Sequence, residues 1–215
     1  MKIVIIGATG FLGSKLVNEA RNRDFEITAI ARNTDTIIDK KVNKISVDVN
    51  NVEKLTEALK GQDVVISAFN AGWTNPNIYE DFIAGSKSIQ EAVKKASAQR
   101  LIVIGGAGSL YTTEKQQIVD MVDFPKEIKP GATAARDYLN ILKEEKDIDW
   151  AFFSPAIDMH PGITTGRTGQ YRLGKDNPVF DQNSVSSLSG EDVAVVILDE
   201  VESPKHHQER FTAAY

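Results

Sequence analysis

Met1-Lys2-Ile3-Val4-Ile5-Ile6-Gly7-Ala8-Thr9-Gly10-Phe11-Leu12-Gly13 opens the chain, and its reading decides the fold. An unbroken Ile/Val run too short for a helix predicts a buried strand, and Leu12, Leu16, Val17 and Ala20 at helical spacing predict a helix directly after it. Between them the glycines follow a G-x-x-G-x-x-G spacing. Gly7 permits a tight turn, Gly10 removes a Cβ from the surface a pyrophosphate would approach, and Gly13 lets the helix pack closely on the strand. The N–H groups of a first helical turn lack intrahelical acceptors and sit at the positive end of the dipole, which favours an anion. Such glycines also serve ordinary turns. Their place between a hydrophobic strand and an amphipathic helix makes them a dinucleotide-binding fingerprint, with Thr9, Phe11 and Leu12 completing the loop.

Outward from this unit, strand and helix patterns alternate, which predicts parallel βαβ units. Strands are expected at 26–31, 44–49, 63–68, 101–104 and 150–153, with a last short one near Phe211. Helices are expected from Val52 to Leu59, capped by Asn50 or Asn51 and stopped by Gly61, then over about 79–96 and about 132–146. Ser189-Gly190-Glu191-Asp192 reads as a further helix start, with Val193, Val196 and Ile197 as its buried face. Residues 155–190 hold mixed Gly, Pro and polar positions and read as substrate-side loops and short strands. The expected architecture is a single α/β domain over 1–215, a Rossmann-type doubly wound parallel sheet with helices on both faces and a small C-terminal substrate-side region.

The chain has 215 residues, 30 acidic and 25 basic side chains, a net charge of −5 and no cysteine. The length suits one well-cored domain. Without a basic stripe, nucleic acid is an unexpected partner, and without cysteine there is no disulfide, thiolate metal site or cysteine nucleophile. His206 and His207 are adjacent, so their side chains diverge, and no metal is expected. No signal-peptide pattern or membrane-length apolar run is present, so a cytoplasmic protein that binds no membrane is expected, as a monomer or homodimer.

In this architecture the end of the second strand meets the adenosine ribose, where an acid favours NAD and an arginine favours the 2′-phosphate of NADP. The sequence there is Ala31-Arg32-Asn33. Arg32 could pair with a phosphate and stack on adenine, so NADP(H) is expected over NAD(H). It is also a plausible solvated turn residue, and Asp35 nearby could serve a ribose. Asp48-Val49 would flank the adenine, and Ala68-Phe69-Asn70 would lie beside the nicotinamide half. The Tyr-x-x-x-Lys pair of carbonyl-reducing short-chain enzymes is missing. Tyr138 and Lys143 stand five apart, which turns them away from each other on a helix.

The opening glycine motif, Val65-Ile66-Ser67-Ala68-Phe69, Gly105-Gly106-Ala107-Gly108-Ser109-Leu110, Phe153-Ser154-Pro155-Ala156 and Tyr171-Arg172-Leu173-Gly174-Lys175-Asp176 together resemble the NADH-flavin reductase group of atypical short-chain dehydrogenases. That group is related to flavin/biliverdin-IXβ reductase and to NmrA-like proteins. The resemblance spans essentially the whole chain and implies NAD(P)H binding with hydride transfer to a flavin (FMN or FAD) or a similar flat small-molecule acceptor. Transfer between two stacked rings needs orientation in a dry cleft more than an acid, which suits the missing Tyr/Lys pair.

By this similarity Ser109 lies next to the nicotinamide as a candidate catalytic residue, or is a loop-capping serine. Tyr111 could stack on the acceptor or donate a proton, or be an exposed loop residue. Backbone groups of Ser154, Pro155 and Ala156 could fix the carboxamide, with Pro155 stiffening the turn. Trp73 could be a stacking lid or a loop anchor. His160, Arg167 and Arg172 could meet an anionic acceptor, or be solvated side chains. Two other functions remain open: a non-enzymatic NmrA-like NADP sensor, and a sugar-nucleotide epimerase or dehydratase, which would need the absent Tyr/Lys pair.

Overall fold

A computed structural model describes residues 1–215. Strands β1 (Lys2–Ile6), β2 (Glu26–Ala31), β3 (Asn43–Ser46), β4 (Val64–Ser67), β5 (Arg100–Ile104), β6 (Asp149–Ser154), β7 (Arg172–Gly174) and β8 (Glu209–Ala214) form one sheet in the order β3-β2-β1-β4-β5-β6-β8-β7. All neighbours are parallel except β7, which runs antiparallel to β8 at the edge. Helices α1 (Phe11–Asn22) and α5 (Gly190–Glu202) cover one face, and α2 (Val52–Leu59), α3 (Ile78–Ala96) and α4 (Lys129–Lys143) cover the other. This is the expected Rossmann-type architecture.

The two-sided burial explains the unbroken apolar run of β1. Ile3 and Ile5 enter the core under α1 and α5, whereas Val4 and Ile6 enter the core under the other three helices. A strand covered on both faces has no polar side to alternate with. Caps follow the local chemistry: Asn51 accepts from Lys54 N at 3.1 Å, and Ser189 accepts from Asp192 N at 3.0 Å.

Several boundaries differ from expectation. β3 stops at Ser46 because Asp48 folds the chain back, its carboxylate accepting from Asn50 N and its carbonyl from Asn51 N. α4 begins at Lys129 rather than near 132, since Pro130 lies in the first turn, where its missing N–H costs nothing. It ends at Lys143 because Glu145 turns inward to Gln90 and Lys94. Within 155–190 the only strand is the three-residue β7. No helix is long and apolar enough to cross a membrane.

Candidate functional site

The glycine-rich turn joins β1 to α1 at the carboxyl edge of the sheet. Gly7 has φ of +78°, and a Cβ there would lie 2.6 Å from Ala68 O. A Cβ on Gly13 would lie 2.0 Å from Gly7 O, so the helix rests directly on the turn. Gly10, the residue before the helix, would place a Cβ near nothing but Gly7 O at 3.2 Å and otherwise in open space. It offers no side-chain cap, and no acidic residue occupies the first turn of α1. The N–H groups of Phe11, Leu12 and Gly13 therefore find no acceptor within the protein. Three converging donors beside a missing Cβ suit a pyrophosphate. Thr9 is exposed at the rim of this turn.

Beside the turn lies a cavity of about 210 Å³ lined by Ile6, Gly7, Ile30, Ala31, Arg32, Asp48, Val49, Asn50, Phe69, Ala71, Asn75 and Asp81. It gathers Gly7, Arg32, Asp48, Val49 and Phe69, which sequence reasoning had assigned to the nucleotide. Arg32 is exposed and makes no hydrogen bond or ion pair with the protein, so its guanidinium is free to meet a phosphate. Asn33 instead closes its own turn by accepting from Asp35 N at 2.8 Å. Asn75 and Asp81, joined at 2.8 Å, were missed. Their signal was weak, an Asn-Pro loop and an acid in a first helical turn. Asn70 holds its loop by accepting from Gly72 N at 2.7 Å, and Ala68 is half-buried at the end of β4. A wider depression between α2 and α3, lined by Glu53, Lys54, Thr56, Glu57 and Lys95, has no hydrophobic residue in its lining and shares none with this cavity.

The substrate-side residues fare differently. Ser109 is wholly buried: its hydroxyl donates to Gly106 O at 2.9 Å and meets Ser154 Oγ at 2.8 Å. This corrects the expectation of a serine facing the acceptor, because the loop after β5 folds inward and the hydroxyl is spent on the protein itself. Ser154, Pro155 and Ala156 are buried too, and the Ser154 hydroxyl is taken up by Ser109. Tyr111 is half-buried, with the Arg210 guanidinium 5.2 Å from its ring centroid. Arg210 is itself buried and donates to Ser109 O and to the Asp176 carboxylate. Tyr111 N donates to Asp176 O at 2.8 Å, and Asn177 Nδ2 donates to Tyr111 O at 2.9 Å. The Tyr-Arg-Leu-Gly-Lys-Asp stretch thus clamps the loop that carries Tyr111.

Trp73 is 59% exposed, with one edge against Gly131 of α4. The arginines proposed for an anionic acceptor are engaged elsewhere. Arg167 grips Glu19 through two bonds of 2.8 and 2.9 Å, and Arg172 donates to the carbonyls of Phe180 and Tyr215. Both therefore fasten loops. His160 is exposed, but its Nδ1 accepts from Gly162 N at 3.0 Å and its Nε2 lies 3.0 Å from Asp158. It too braces its own loop. Tyr138 is buried in the core with its phenol 3.3 Å from Gln90, and burial pushes its pKa far up, whereas Lys143 is exposed.

The chain matches the family described as NAD(P)H-binding over residues 7–204. It is 37% identical over 214 residues to the uncharacterized protein YwnB of Bacillus subtilis, covering 99% of this chain and 97% of that one. Among solved structures, a candidate epimerase from Bacteroides thetaiotaomicron shares 47% identity with a TM-score of 0.90, covering 100% of this chain and 96% of that one. A candidate NADH-flavin reductase from Streptococcus pneumoniae shares 33% identity with a TM-score of 0.88, covering 100% and 99%. The chain belongs to the NAD(P)H-binding family, in agreement with the atypical short-chain dehydrogenase resemblance of its motifs.

Proposed function

We propose that the chain is an NAD(P)H-dependent oxidoreductase that reduces a flavin or similarly flat acceptor and prefers the 2′-phosphorylated nucleotide. The observation that carries this reading is the place of Tyr138, buried against Phe82 and directed at Gln90 while Lys143 faces solvent. Reduction of a carbonyl by a short-chain enzyme needs a proton donor beside the reacting carbon. Tyr138 cannot serve. The bound nucleotide would supply hydride, and an isoalloxazine ring accepts hydride without a fixed acid if the two rings are stacked in a water-poor cleft.

The chain's own groups then bind and orient. The free N–H groups of Phe11, Leu12 and Gly13 hold the pyrophosphate, Arg32 faces the 2′-phosphate, and Val49 and Phe69 wall the adenosine. Trp73 and Tyr111 are the aromatic surfaces available to a flat acceptor, and Arg210 together with Asp176 keeps the Tyr111 loop in place. The similarity to the Streptococcus candidate NADH-flavin reductase supports the same reading. An epimerase, as the Bacteroides relative is described, needs a base beside the nicotinamide, and neither Tyr138 nor Ser109 is placed to act as one.

The test is anaerobic oxidation of NADPH and NADH with FMN, FAD and riboflavin, followed by nicotinamide and flavin absorbance together. The expected result is matched loss of both signals, faster with NADPH. Tight nucleotide binding without turnover of any flavin would replace this function with that of a nucleotide sensor.

A further inference from the structure

We infer that Gly190, the first residue of α5, is the seat on which Phe11 rests, and that this contact holds the phosphate-binding turn of α1 in its binding geometry. Gly190 adopts ordinary helical backbone and has no positive φ. Conformation therefore does not demand glycine there, and alanine would be the better helix former. Packing does demand it. A Cβ on Gly190 would lie 2.8 Å from Phe11 Cζ, 3.3 Å from Cε2 and 3.5 Å from Leu12 Cδ2. Phe11 and Leu12 are the first two residues of α1, and their N–H groups are two of the three free donors of the turn.

The seat is fixed from behind. Ser189 Oγ accepts from Asp192 N at 3.0 Å and donates to Gly166 O at 2.6 Å. Asp192, fully buried, accepts from Thr168 N and Oγ1, Gly169 N and the Tyr215 hydroxyl. Lys15 of α1 meets Glu191 of α5 at 2.5 Å, and Arg23, the residue after α1, meets Asp199 and Glu202 of α5 at 2.6 and 2.7 Å. These contacts hold α1 beside α5. A methyl group on Gly190 has to push the tip of the Phe11 ring aside by several tenths of an ångström, and on this inference the first helical turn that carries the ring shifts with it. Gly190 is a positioning residue; it donates nothing to the nucleotide itself.

The inference rests on nucleotide binding at the α1 turn, and its test reads binding rather than turnover. NADPH is titrated by nicotinamide fluorescence into the wild-type chain, Gly190→Ala, Phe11→Leu and the double variant, with a thermal melt of each free chain. Gly190→Ala is expected to weaken NADPH about tenfold, the scale of one charge-assisted hydrogen bond. In the Phe11→Leu background the same alanine should leave affinity where Phe11→Leu alone puts it, without lowering the melting temperature. Wild-type affinity in Gly190→Ala overturns the inference. So does an equal loss from the alanine in both backgrounds, which would mean that the effect does not pass through Phe11. If Gly190→Ala fails to fold, the two chains that carry Phe11→Leu decide: equal affinity supports the seat, whereas weakened binding or an unfolded double variant overturns it. A wild-type chain that binds neither NADPH nor NADH overturns the site itself.

Discussion

Replacing Ser109 by alanine separates a catalytic serine from a structural one. The hydroxyl has one hydrogen, which it gives to Gly106 O at 2.9 Å, so across the 2.8 Å contact Ser154 must be the donor and Ser109 the acceptor. Ser109→Ala therefore strips the acceptor from a fully buried Ser154 hydroxyl, whereas Gly106 O keeps the Ser109 N–H, at 3.3 Å, as a donor. A buried group left without its partner costs about 1–3 kcal/mol, so a loss of about 1–3 kcal/mol is expected. For a chain of this size each kcal/mol moves Tm by about 2–4 °C, which puts the fall at roughly 2–12 °C. Ser154→Ala should be gentler, at about 1 kcal/mol, because it removes a donor and leaves Ser109 bonded to Gly106. The double variant should cost less than the sum of the two, since neither unpaired hydroxyl then remains. Calorimetric melts of the four chains, with NADPH-dependent flavin turnover measured beside them, make the test. Turnover below the melting range should stay within about twofold, under 0.5 kcal/mol in the barrier. A loss of about a hundredfold in kcat with an unchanged Tm would refute the buttress and return Ser109 to the reaction.

Three further outcomes are expected. Arg32→Ala should weaken NADPH by roughly ten- to a hundredfold and NADH far less, the value of a charged hydrogen bond to phosphate; equal effects on the two nucleotides, read by equilibrium titration, would remove Arg32 from the 2′-phosphate. Tyr138→Phe should keep turnover within about twofold and cost at most about 1 kcal/mol in a melt, because its phenol reaches only Gln90 inside the core. The hydrogen bond from Arg167, aided by Arg23 and opposed by burial, holds the Glu19 carboxyl below its ordinary 4.5. A depressed folded pKa contributes stability above the ordinary value that is lost as pH falls below it. Denaturant melts of the wild type should therefore weaken below about pH 4.5, and Glu19→Gln should be less stable at neutral pH with a shallower acid decline. An identical slope in both would contradict the pairing.

What the sequence disclosed was local. The β1 apolar run, the α1 stripe and the Gly7-Gly10-Gly13 spacing each report on neighbours a few residues away, and Ser189 announced a helix start that the structure contains. Arg32, Asp48, Val49 and Phe69 were legible because strand ends converge by topology, so position along the chain foretold position around the cavity. The substrate side was opaque because its partners are remote. Ser109 looks like an exposed serine after a glycine-rich loop until Ser154, 45 residues on, and Arg210, 101 residues on, close over it. Arg167 resembles an anion ligand until Glu19, 148 residues earlier, is seen to hold it. No periodicity encodes such pairings. The expected strand through Val49 failed for a related reason, since Asp48 uses its side chain to turn the backbone.

The central claim is that the nucleotide lies across the α1 turn with its pyrophosphate against Gly10, and Gly10→Ala tests it most directly. A Cβ there meets only Gly7 O, at 3.2 Å, so the chain should fold with a melting curve close to wild type, while the methyl group stands where the phosphates approach. Titration of NADPH and NADH into both chains should show binding to the wild type and a loss of at least about tenfold for both nucleotides in the folded variant. A folded Gly10→Ala chain that binds either nucleotide with undiminished affinity would contradict the account.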